Sequence, residues 1–511
     1  MLIVIKFWRA VATDRDIKMN TTKMLPLVAV MTGLLAGCGE SSSGGGGGAP
    51  AKTTIDLEFV KVEEKDASTV ASCKFYDRTR TVIENNGIED ITTKALIAKP
   101  IEDSLNSLLS IVYSDADGEL QSSSQEFVND GVVTVVIDDI PDGGYLNIRE
   151  QVGFDVYVTS YSKELLEANA DSMSKMLLTA VSPIPSLSCT TGSNLTEITK
   201  NGIRYLNTTD NTSGDSAVFP YHFTSDLESE TSNNPEVVTN TDFQALNTDI
   251  TLITQYRADN SLFQYGFEDW NSGSIEMSYT GSSETISRPS SVIYNDLEIG
   301  VVYKDTDKVL MTVPNSTNTY YHTSTLRDGE QWFAKTEGTP VASWAAVLNV
   351  PMDDTWALSV DESDLFNTST LADVDANLSN QANNALVVDL TNSITIGSVD
   401  NGVQRITLKP NSNSVDTQLH TIYSFTQDSV IVPKIEVIDA SDLTTYSLQQ
   451  NYWFTESDED LDIRFVLDGF NTTALSDSAY DPHGLILDES KRVEIKAQSK
   501  STKFISVQRA Q

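Results

Sequence analysis

Apolar and polar residues alternate along most of the chain from about Thr53 onward. Ile55, Leu57 and Phe59 occupy every second position, which is the period of a strand that buries one face. Polar turns such as residues 141–144 separate such runs, because Gly, Pro and Asp favour tight turns. The pattern predicts a mainly β protein.

Strand candidates are dense in the first part of the chain. We predict strands at Ile55–Phe59, Ala71–Thr81, Leu108–Tyr113, Gly131–Asp138, Tyr145–Ile148 and Phe154–Thr159. Six or seven short strands in about a hundred residues are typical of an immunoglobulin-like β-sandwich. Good helix formers from Ser162 to Leu178, with Pro183 and Pro185 beyond them, predict one helix that closes this module. We therefore place a first domain at residues 53–190.

The second half of the chain continues the β pattern. Ile250–Tyr256 and Phe263–Phe267 predict one hairpin, and Val301–Met311 predicts another that bends around Asp305–Asp307. Later strand candidates are Val403–Leu408, Ile431–Ile438, Leu461–Leu467 and Val493–Ile495. We expect two further β-rich, sandwich-like domains at residues 191–385 and 386–511. A β-propeller is the alternative for this half, although no repeat of blade length supports it.

One apolar segment near the N-terminus does not fit the strand pattern. Met24–Leu35 follows the basic residue Lys23. A helix of about twelve residues is too short to cross ~30 Å of hydrocarbon, but this length fits the core of a signal peptide. The segment ends in Leu35-Ala36-Gly37-Cys38. This motif resembles the lipobox of bacterial lipoproteins, in which a branched apolar residue and two small residues precede a cysteine.

The resemblance implies how the chain is processed and anchored. The signal peptidase would recognise Leu35, Ala36 and Gly37 and remove residues 1–37. The thiol of Cys38 would be the lipid attachment site, as a diacylglyceryl cysteine that also carries a further acyl chain such as palmitate. Several acyl chains give durable attachment to a membrane.

The resemblance also implies a location. Gly39, rather than Asp, follows the cysteine, which in this family implies sorting to the outer membrane after export through the general secretory route. We expect a lipid-anchored protein of the outer membrane or cell surface. Met19 is the expected true start, and a leader that includes residues 1–18 is the alternative.

A flexible tether is predicted at residues 38–52. It contains Ser41–Ser43 and Gly44–Gly48, which have no capacity to pack in a core. About a dozen such residues span ~20 Å as a random coil. The tether would lift the first folded domain off the bilayer.

Two further cysteines, Cys73 and Cys189, are expected to form a disulfide. An exported chain reaches a compartment in which thiols oxidise. Two buried free thiols are the alternative, because the sequence does not supply the Cα separation that a bridge requires.

The charge balance narrows the class of partner. Acidic residues outnumber basic ones by 73 to 34, and the formal net charge is -39. This charge opposes binding to phosphate backbones, so we expect no nucleic-acid partner. The expected partners are the membrane, through the acyl chains on Cys38, and an envelope protein or a glycan.

Catalytic and cofactor motifs are missing from the sequence. The four histidines stand far apart, and the chain has neither an H-E-x-x-H helix motif nor C-x-x-C spacing nor a phosphate loop. We therefore predict a protein that is not an enzyme and has no cofactor. Asp115, Asp117 and Glu119 are candidate calcium ligands, but a solvated acidic loop is the preferred interpretation.

Five tryptophans outside the leader allow two interpretations. They are Trp270, Trp332, Trp344, Trp356 and Trp453. Exposed rings would suit stacking on carbohydrate, but core packing is the preferred interpretation for a polar β protein.

Two functions are compatible with these features. The leading hypothesis is an anchored envelope or cell-surface lipoprotein with a structural, adhesive or binding role, for example a surface coat or appendage-sheath component. The alternative is a surface polysaccharide-binding or polysaccharide-cleaving lipoprotein, which predicts an aromatic-lined cleft that holds two carboxylates.

Overall fold

The computed structural model describes residues 52–85, 88–101, 109–121, 126–127, 131–180, 185–199, 204–205, 220–232, 237–238, 243–268, 275–288, 293–341, 343–360, 371–372, 377–380, 386–391, 393, 402–410, 418–435, 446–456, 461–469 and 483–509. Residues 1–51, which include the predicted signal peptide and most of the tether, lie outside this set. From Lys52 onward the chain forms one compact unit.

The described residues form 31 strands. The first fifteen are β1 (Thr54–Asp66), β2 (Phe75–Asn85), β3 (Ile88–Pro100), β4 (Leu109–Ser114), β5 (Glu126–Phe127), β6 (Val132–Val136), β7 (Tyr145–Val152), β8 (Asp155–Ser162), β9 (Lys175–Thr179), β10 (Glu197–Thr199), β11 (Arg204–Tyr205), β12 (Tyr221–Thr224), β13 (Ser229–Ser232), β14 (Val237–Val238) and β15 (Gln244–Leu246).

The strands of the second half are β16 (Thr251–Tyr256), β17 (Leu262–Glu268), β18 (Met277–Tyr279), β19 (Ser282–Thr285), β20 (Ile293–Tyr303), β21 (Thr306–Val313), β22 (Thr319–His322), β23 (Glu330–Thr339), β24 (Trp344–Pro351), β25 (Asn377–Asn380), β26 (Leu386–Asp389), β27 (Val403–Pro410), β28 (Gln418–Phe425), β29 (Ser429–Val432), β30 (Tyr446–Thr455) and β31 (Phe504–Arg509). The described α-helices are α1 (Lys163–Asn169), α2 (Ile463–Leu467) and α3 (Glu489–Lys500).

The prediction of a mainly β protein is confirmed. Burial along β1 shows the alternation that predicted it, because Ile55, Leu57 and Phe59 are buried while Thr54 and Asp56 are exposed. Such side chains point in turn to the two faces of a sheet.

One sheet of twelve strands organises the molecule. Its order is β21-β20-β23-β24-β31-β30-β27-β28-β8-β7-β4-β5. Neighbours pair antiparallel except β28 and β8, which run parallel in a register that places Ile422 opposite Ser160. The sheet draws strands from the segments 53–190, 191–385 and 386–511, so the three segments predicted as domains share one sheet.

The described strands form six smaller sheets besides the large one. The N-terminal sheet has the order β2-β3-β1-β6, and β9 pairs parallel with β1. A second five-stranded sheet has the order β13-β12-β16-β17-β18, and β25-β26-β29 form a third. The pairs β10-β15, β11-β14 and β19-β22 complete the described pairing.

The large sheet lies between two hydrophobic cores. Ile422 and Tyr452 pack in the larger core, which includes Leu252 of β16. Their chain neighbours Tyr423 and Trp453 pack in a second core with residues of the N-terminal sheet and α1. Adjacent residues of a strand face opposite sides, so the sheet is covered on both faces.

Both predicted hairpins of the second half are present. β16 pairs with β17, and Asn260 in the connecting turn has a φ of 66°. β20 pairs with β21 through Lys304 and Asp305, whose φ values are 49° and 61°. Two successive residues with positive φ are the geometry of the type I′ turn that suits the twist of a two-residue hairpin.

The helix predictions need correction. The predicted helix Ser162–Leu178 begins where expected, since Ser162 Oγ accepts the Leu165 N–H at 3.3 Å as an N-cap. It ends at Asn169, and Met176 and Leu178 are instead buried positions of β9, as is Thr179. Met176 and Leu178 alternate with Leu177, so strand pairing with β1 overrides their helix propensity.

Two strand predictions near the C-terminus are wrong. Leu461–Leu467 contains α2 and Val493–Ile495 lies within α3, so the prediction of a single helix is also wrong. Asp488 Oδ1 accepts the Lys491 N–H at 2.9 Å at the start of α3. An N-cap aspartate followed by Glu489 is a helix-start signal that the sequence contains.

Candidate functional site

The predicted lipid attachment site lies outside the described residues. This applies to Cys38 and to Leu35, Ala36 and Gly37 before it, so the anchor stays a prediction. Among the described helices, none has the length and apolar character to cross a membrane.

The predicted disulfide between Cys73 and Cys189 is confirmed. The two Cα atoms lie 5.5 Å apart, and the bond joins residues that are 116 positions apart in the sequence. Cys73 is buried and forms an isolated β-bridge with Thr191, just before β2. The bond therefore holds the segment after β9 against the N-terminal sheet. Closing a loop of this length stabilises a fold by about 5 kcal/mol in the chain-entropy description.

The candidate calcium ligands share one turn after β4. Asp115 Oδ1 accepts the backbone N–H of Asp117 at 3.0 Å and that of Glu119 at 2.9 Å. Lys434 Nζ donates to Glu119 Oε1. Asp115 therefore stabilises the turn, and Glu119 forms an ion pair with Lys434. Within the described part of the chain, no group of three or more His, Cys, Asp or Glu side chains is placed to hold a metal.

Four of the five tryptophans pack in the hydrophobic cores. Trp332, Trp344, Trp356 and Trp453 are each at most 8% exposed. Trp332 Nε1 donates to a carboxylate oxygen, Glu330 Oε1, at 2.9 Å. The fifth, Trp270, lies outside the described residues. These four rings supply no surface platform for carbohydrate, which removes their support from the polysaccharide hypothesis.

A shallow polar groove of about 440 Å³ lies on the β13-β12-β16 sheet. Its lining residues are His222, Thr224, Ser229, Thr231, Thr254 and Tyr256. The ring nitrogen His222 Nδ1 lies 3.2 Å from Thr231 Oγ1, and the His222 ring meets the Tyr256 ring edge-on at 5.4 Å. Tyr256 donates its hydroxyl to Leu310 O at 2.7 Å. The groove presents hydroxyl groups and one imidazole to solvent.

A second groove, of about 560 Å³, lies beside the bulge in β20. It is lined by Asn295, Asp296, Glu298, Thr312, Asn315, Lys335, Thr336 and Glu337. Asp296 Oδ1 accepts the Asn315 N–H at 2.9 Å, and Lys335 Nζ lies 3.3 Å from Glu337 Oε1. The groove contains three carboxylates but no aromatic ring, so it differs from the aromatic-lined cleft of the alternative hypothesis.

The chain matches no protein-family model and no curated protein sequence. The geometry of its own residues is therefore the basis for any functional conclusion.

A serine and a histidine meet inside the large sheet. Ser160 Oγ lies 3.0 Å from His420 Nε2 and donates to Asn147 Oδ1 at 2.7 Å. Asn147 Nδ2 in turn donates to Val112 O at 2.9 Å and to Ser114 Oγ at 3.0 Å. This polar network joins β4, β7, β8 and β28.

The geometry of this network opposes a nucleophilic role for Ser160. The one hydroxyl proton of Ser160 goes to Asn147, so His420 Nε2 is the donor toward Ser160 rather than the base. Burial lowers the pKa of His420 to about 3, which is far from the value that suits a general base at neutral pH. Ser160 is also fully buried. The network satisfies polar groups at the parallel β8-β28 junction.

A second buried histidine joins the C-terminal segment to the N-terminal sheet. His483 Nε2 lies 3.7 Å from Glu150 Oε2, and His483 Nδ1 lies 3.1 Å from Thr179 O. Tyr161 donates its hydroxyl to His483 O at 2.8 Å. The residues that follow continue the junction, because Ile486 N donates to Leu177 O at 2.7 Å.

The sequence contained a signal for one of these histidines. His420 lies two positions before the buried residue Ile422 in β28 and on the same face, so strand periodicity alone would mark it as buried. The sequence does not predict that Ser160 and Asn147 are its partners. Ser160 and His420 meet only because strands 260 residues apart pair with each other.

Proposed function

We propose that the chain is a membrane-anchored envelope or cell-surface lipoprotein with a structural, adhesive or binding role. The Cys73–Cys189 disulfide carries this proposal. It supports export to an oxidising compartment, and it uses two of the three cysteines. Cys38, within the lipobox-like motif, then remains for acylation.

The order of segments supports the same role. The motif is followed by the Ser/Gly tether, and the first described strand, β1, begins at Thr54 directly after it. A flexible tether of about a dozen residues places a folded body some ~20 Å from a bilayer. A β-rich body at that distance is suited to contacts in the envelope or at the cell surface. A coat or appendage-sheath component remains an example of such a role.

The finer fold assignment belongs to the same proposal. The N-terminal sheet and strands β4, β7 and β8 share one core that includes Leu57, Ile111 and Ile148. Two sheets that enclose a common core support a β-sandwich for the N-terminal part. Its immunoglobulin-like character and the propeller alternative for the second half stay predictions.

Metabolic labelling with a palmitate analogue tests the anchor. We expect label on the wild-type protein and none on the Cys38→Ala variant. A Cys73→Ser/Cys189→Ser double variant is the matched control and should keep the label, because its lipobox is intact. Wild-type protein without label would refute the proposal of a lipoprotein.

Protease digestion of intact cells tests the exposed location. Digestion of the labelled protein would support a surface role. Protection from the protease until the outer membrane is opened would exclude the cell-surface role and leave the envelope role on the periplasmic side.

A further inference from the structure

A lysine and two aspartates meet between the large sheet and the β13-β12-β16-β17-β18 sheet. Lys308 lies on β21, the edge strand of the large sheet. Asp226 lies in the turn between β12 and β13, and Asp249 lies just before β16. The three residues come from separate parts of the chain and are brought together by the packing of one sheet on the other.

The reactive groups of these residues are in contact. Lys308 Nζ donates to Asp226 Oδ1 and lies 3.1 Å from Asp249 Oδ1. Asp249 Oδ2 accepts the backbone N–H of Asp226 at 2.7 Å, which holds the two carboxyl groups beside each other. The side chains of Lys308 and Asp249 are 4% and 0% exposed, and that of Asp226 is 29% exposed.

This burial makes the ionised cluster costly. Removing an ammonium and two carboxylates from water carries a penalty that mutual attraction repays only in part. Burial raises the pKa of Asp249 above its usual value, although Lys308 opposes the shift. Burial alone would lower the pKa of Lys308, but Asp226 and Asp249 raise it. The ammonium therefore needs a neighbouring base before it can act as a nucleophile.

We propose that Lys308 and Asp226 condense to an intramolecular isopeptide bond, with Asp249 as the proton carrier. Asp249 takes a proton from the Lys308 ammonium, and the neutral amine attacks Cγ of Asp226. One C–O bond of the Asp226 carboxyl group breaks. Both protons that leave Nζ end on the departing oxygen, carried in turn by Asp249. The products are a neutral amide and one water, and Asp249 returns to its initial state.

Two physical features favour this condensation over a permanent ion pair. The fold holds the amine against the carboxyl group, and such positioning gives intramolecular reactions very high effective concentrations. Formation of the amide also replaces the buried charge of Lys308 and the partly buried charge of Asp226 by a neutral group, which removes their desolvation penalty. Water is released from a site in which the amine is almost completely buried, and this disfavours hydrolysis.

The bond would be a covalent cross-link between the two sheets. It would join the edge strand β21 to the β12-β13 hairpin, so that the two sheets could not separate under load without breaking a covalent bond. This inference is independent of the anchor at Cys38, because it depends only on contacts within the folded body.

A tryptic peptide map of the folded wild-type protein, read by mass spectrometry, tests the bond. Without it, trypsin cleaves after Lys308. With it, cleavage at Lys308 is blocked, and residues 305–327 are recovered joined to residues 205–257, with a mass lower by one water than the sum of the two peptides. Fragmentation of the joined peptides should place the link at Asp226, and a link at Asp249 would overturn this assignment.

Substitutions test the roles of the individual groups. Lys308→Arg keeps the positive charge but lacks the amine, so the peptides should separate. Asp249→Asn removes the proton carrier, and the joined fraction should fall strongly. Lys163→Arg is the matched control: Lys163 pairs at 2.6 Å with Asp142 Oδ1, whose side chain is 99% exposed, and this variant should keep the joined peptides.

The wild-type map is decisive even if a variant fails to fold. Cleavage after Lys308 together with free residues 205–257 from folded wild-type protein would overturn the proposal. Wild-type Lys163 is an internal reference, because its carboxylate partner is hydrated and trypsin should cleave after it.

Discussion

Arg78 and Glu489 form an ion pair although 411 residues separate them in the sequence. The Nε of Arg78 lies 3.0 Å from Glu489 Oε2, and its Nη1 lies 3.0 Å from Glu197 Oε1. The Arg78 side chain is 2% exposed and its guanidinium lies over the Phe75 ring. These contacts join β2 to the first turn of α3, close to the Cys73–Cys189 disulfide.

The burial of Glu489 in this contact predicts a pH dependence of stability. Burial raises the pKa of Glu489 from 4.5 to about 7, although Arg78 opposes the shift. The folded state thus holds the proton more tightly than the unfolded state. The stabilisation by protonated Glu489 is fully present below pH 4.5 and is lost as the pH rises through about 7. The loss of unfolding free energy reaches about 3 kcal/mol.

The Glu489→Gln variant should lack this contribution. We expect the difference in unfolding free energy between wild type and variant to change between pH 4.5 and 7, as measured by urea denaturation. Glu494→Gln is the matched control on the same helix, because Glu494 is 40% exposed and pairs with Lys491. An equal change in the control, or a constant difference for Glu489→Gln, would contradict the prediction.

His420 predicts a dependence of the opposite sign. Burial lowers its pKa from 6.5 to about 3, so the unfolded state binds the proton more tightly. This contribution is fully present above pH 6.5 and is lost as the pH falls toward 3, by up to about 5 kcal/mol. His420→Gln should lose stability at neutral pH but show a flatter decline in acid by circular dichroism. The same acid decline in both proteins would refute the assignment to His420.

Short sequence patterns correctly predicted the strands and turns that depend mainly on residues close together in the sequence. The alternation of Ile55 and Leu57 in β1 and the turn at Asp305 are of this kind. Met176 departs from its predicted helix because β1 offers it a strand partner, and Ile495 departs from its predicted strand because α3 buries it against Phe465 and Phe504. Both outcomes depend on tertiary packing, which a short window of sequence does not contain.

The buried contacts of Lys308 and His483 could not be predicted from the sequence, because they too depend on tertiary packing. Lys308 lies 82 residues from Asp226 in the sequence, and His483 lies 304 residues from Thr179. Lysine, aspartate and threonine are common in this chain, histidine is rare, and none of these residues belongs to a motif. Only the pairing order of the sheets brings them together. The disulfide was predictable because only two cysteines follow the lipobox-like motif.

Loss of the disulfide should lower stability without unfolding the β framework. Reduction, or the Cys73→Ser/Cys189→Ser variant, should lower the free energy of unfolding by about 2–5 kcal/mol. Thermal denaturation followed by circular dichroism measures the effect. The contacts of Arg78 with α3 hold the same region, so the variant should keep its native β signal at 25 °C. A variant as stable as the wild type would contradict the prediction.

Gly144 offers a test of the turn at residues 141–144, which the sequence predicted. A Cβ on Gly144 would lie 2.1 Å from Ser114 O and 2.9 Å from Pro141 O, both of which are backbone atoms. Because β4 and β7 would have to separate to admit it, Gly144→Ala should destabilise the protein by about 3 kcal/mol or more.

Gly153 and Gly329 are the matched comparisons, since a Cβ at either would contact nothing within 4 Å. Their alanine variants should lose only about 1 kcal/mol of stability, because the added Cβ is strained at a positive φ but meets no other atom. Equal losses in urea denaturation at Gly144 and Gly153 would show that the close approach of β4 to β7 does not require glycine.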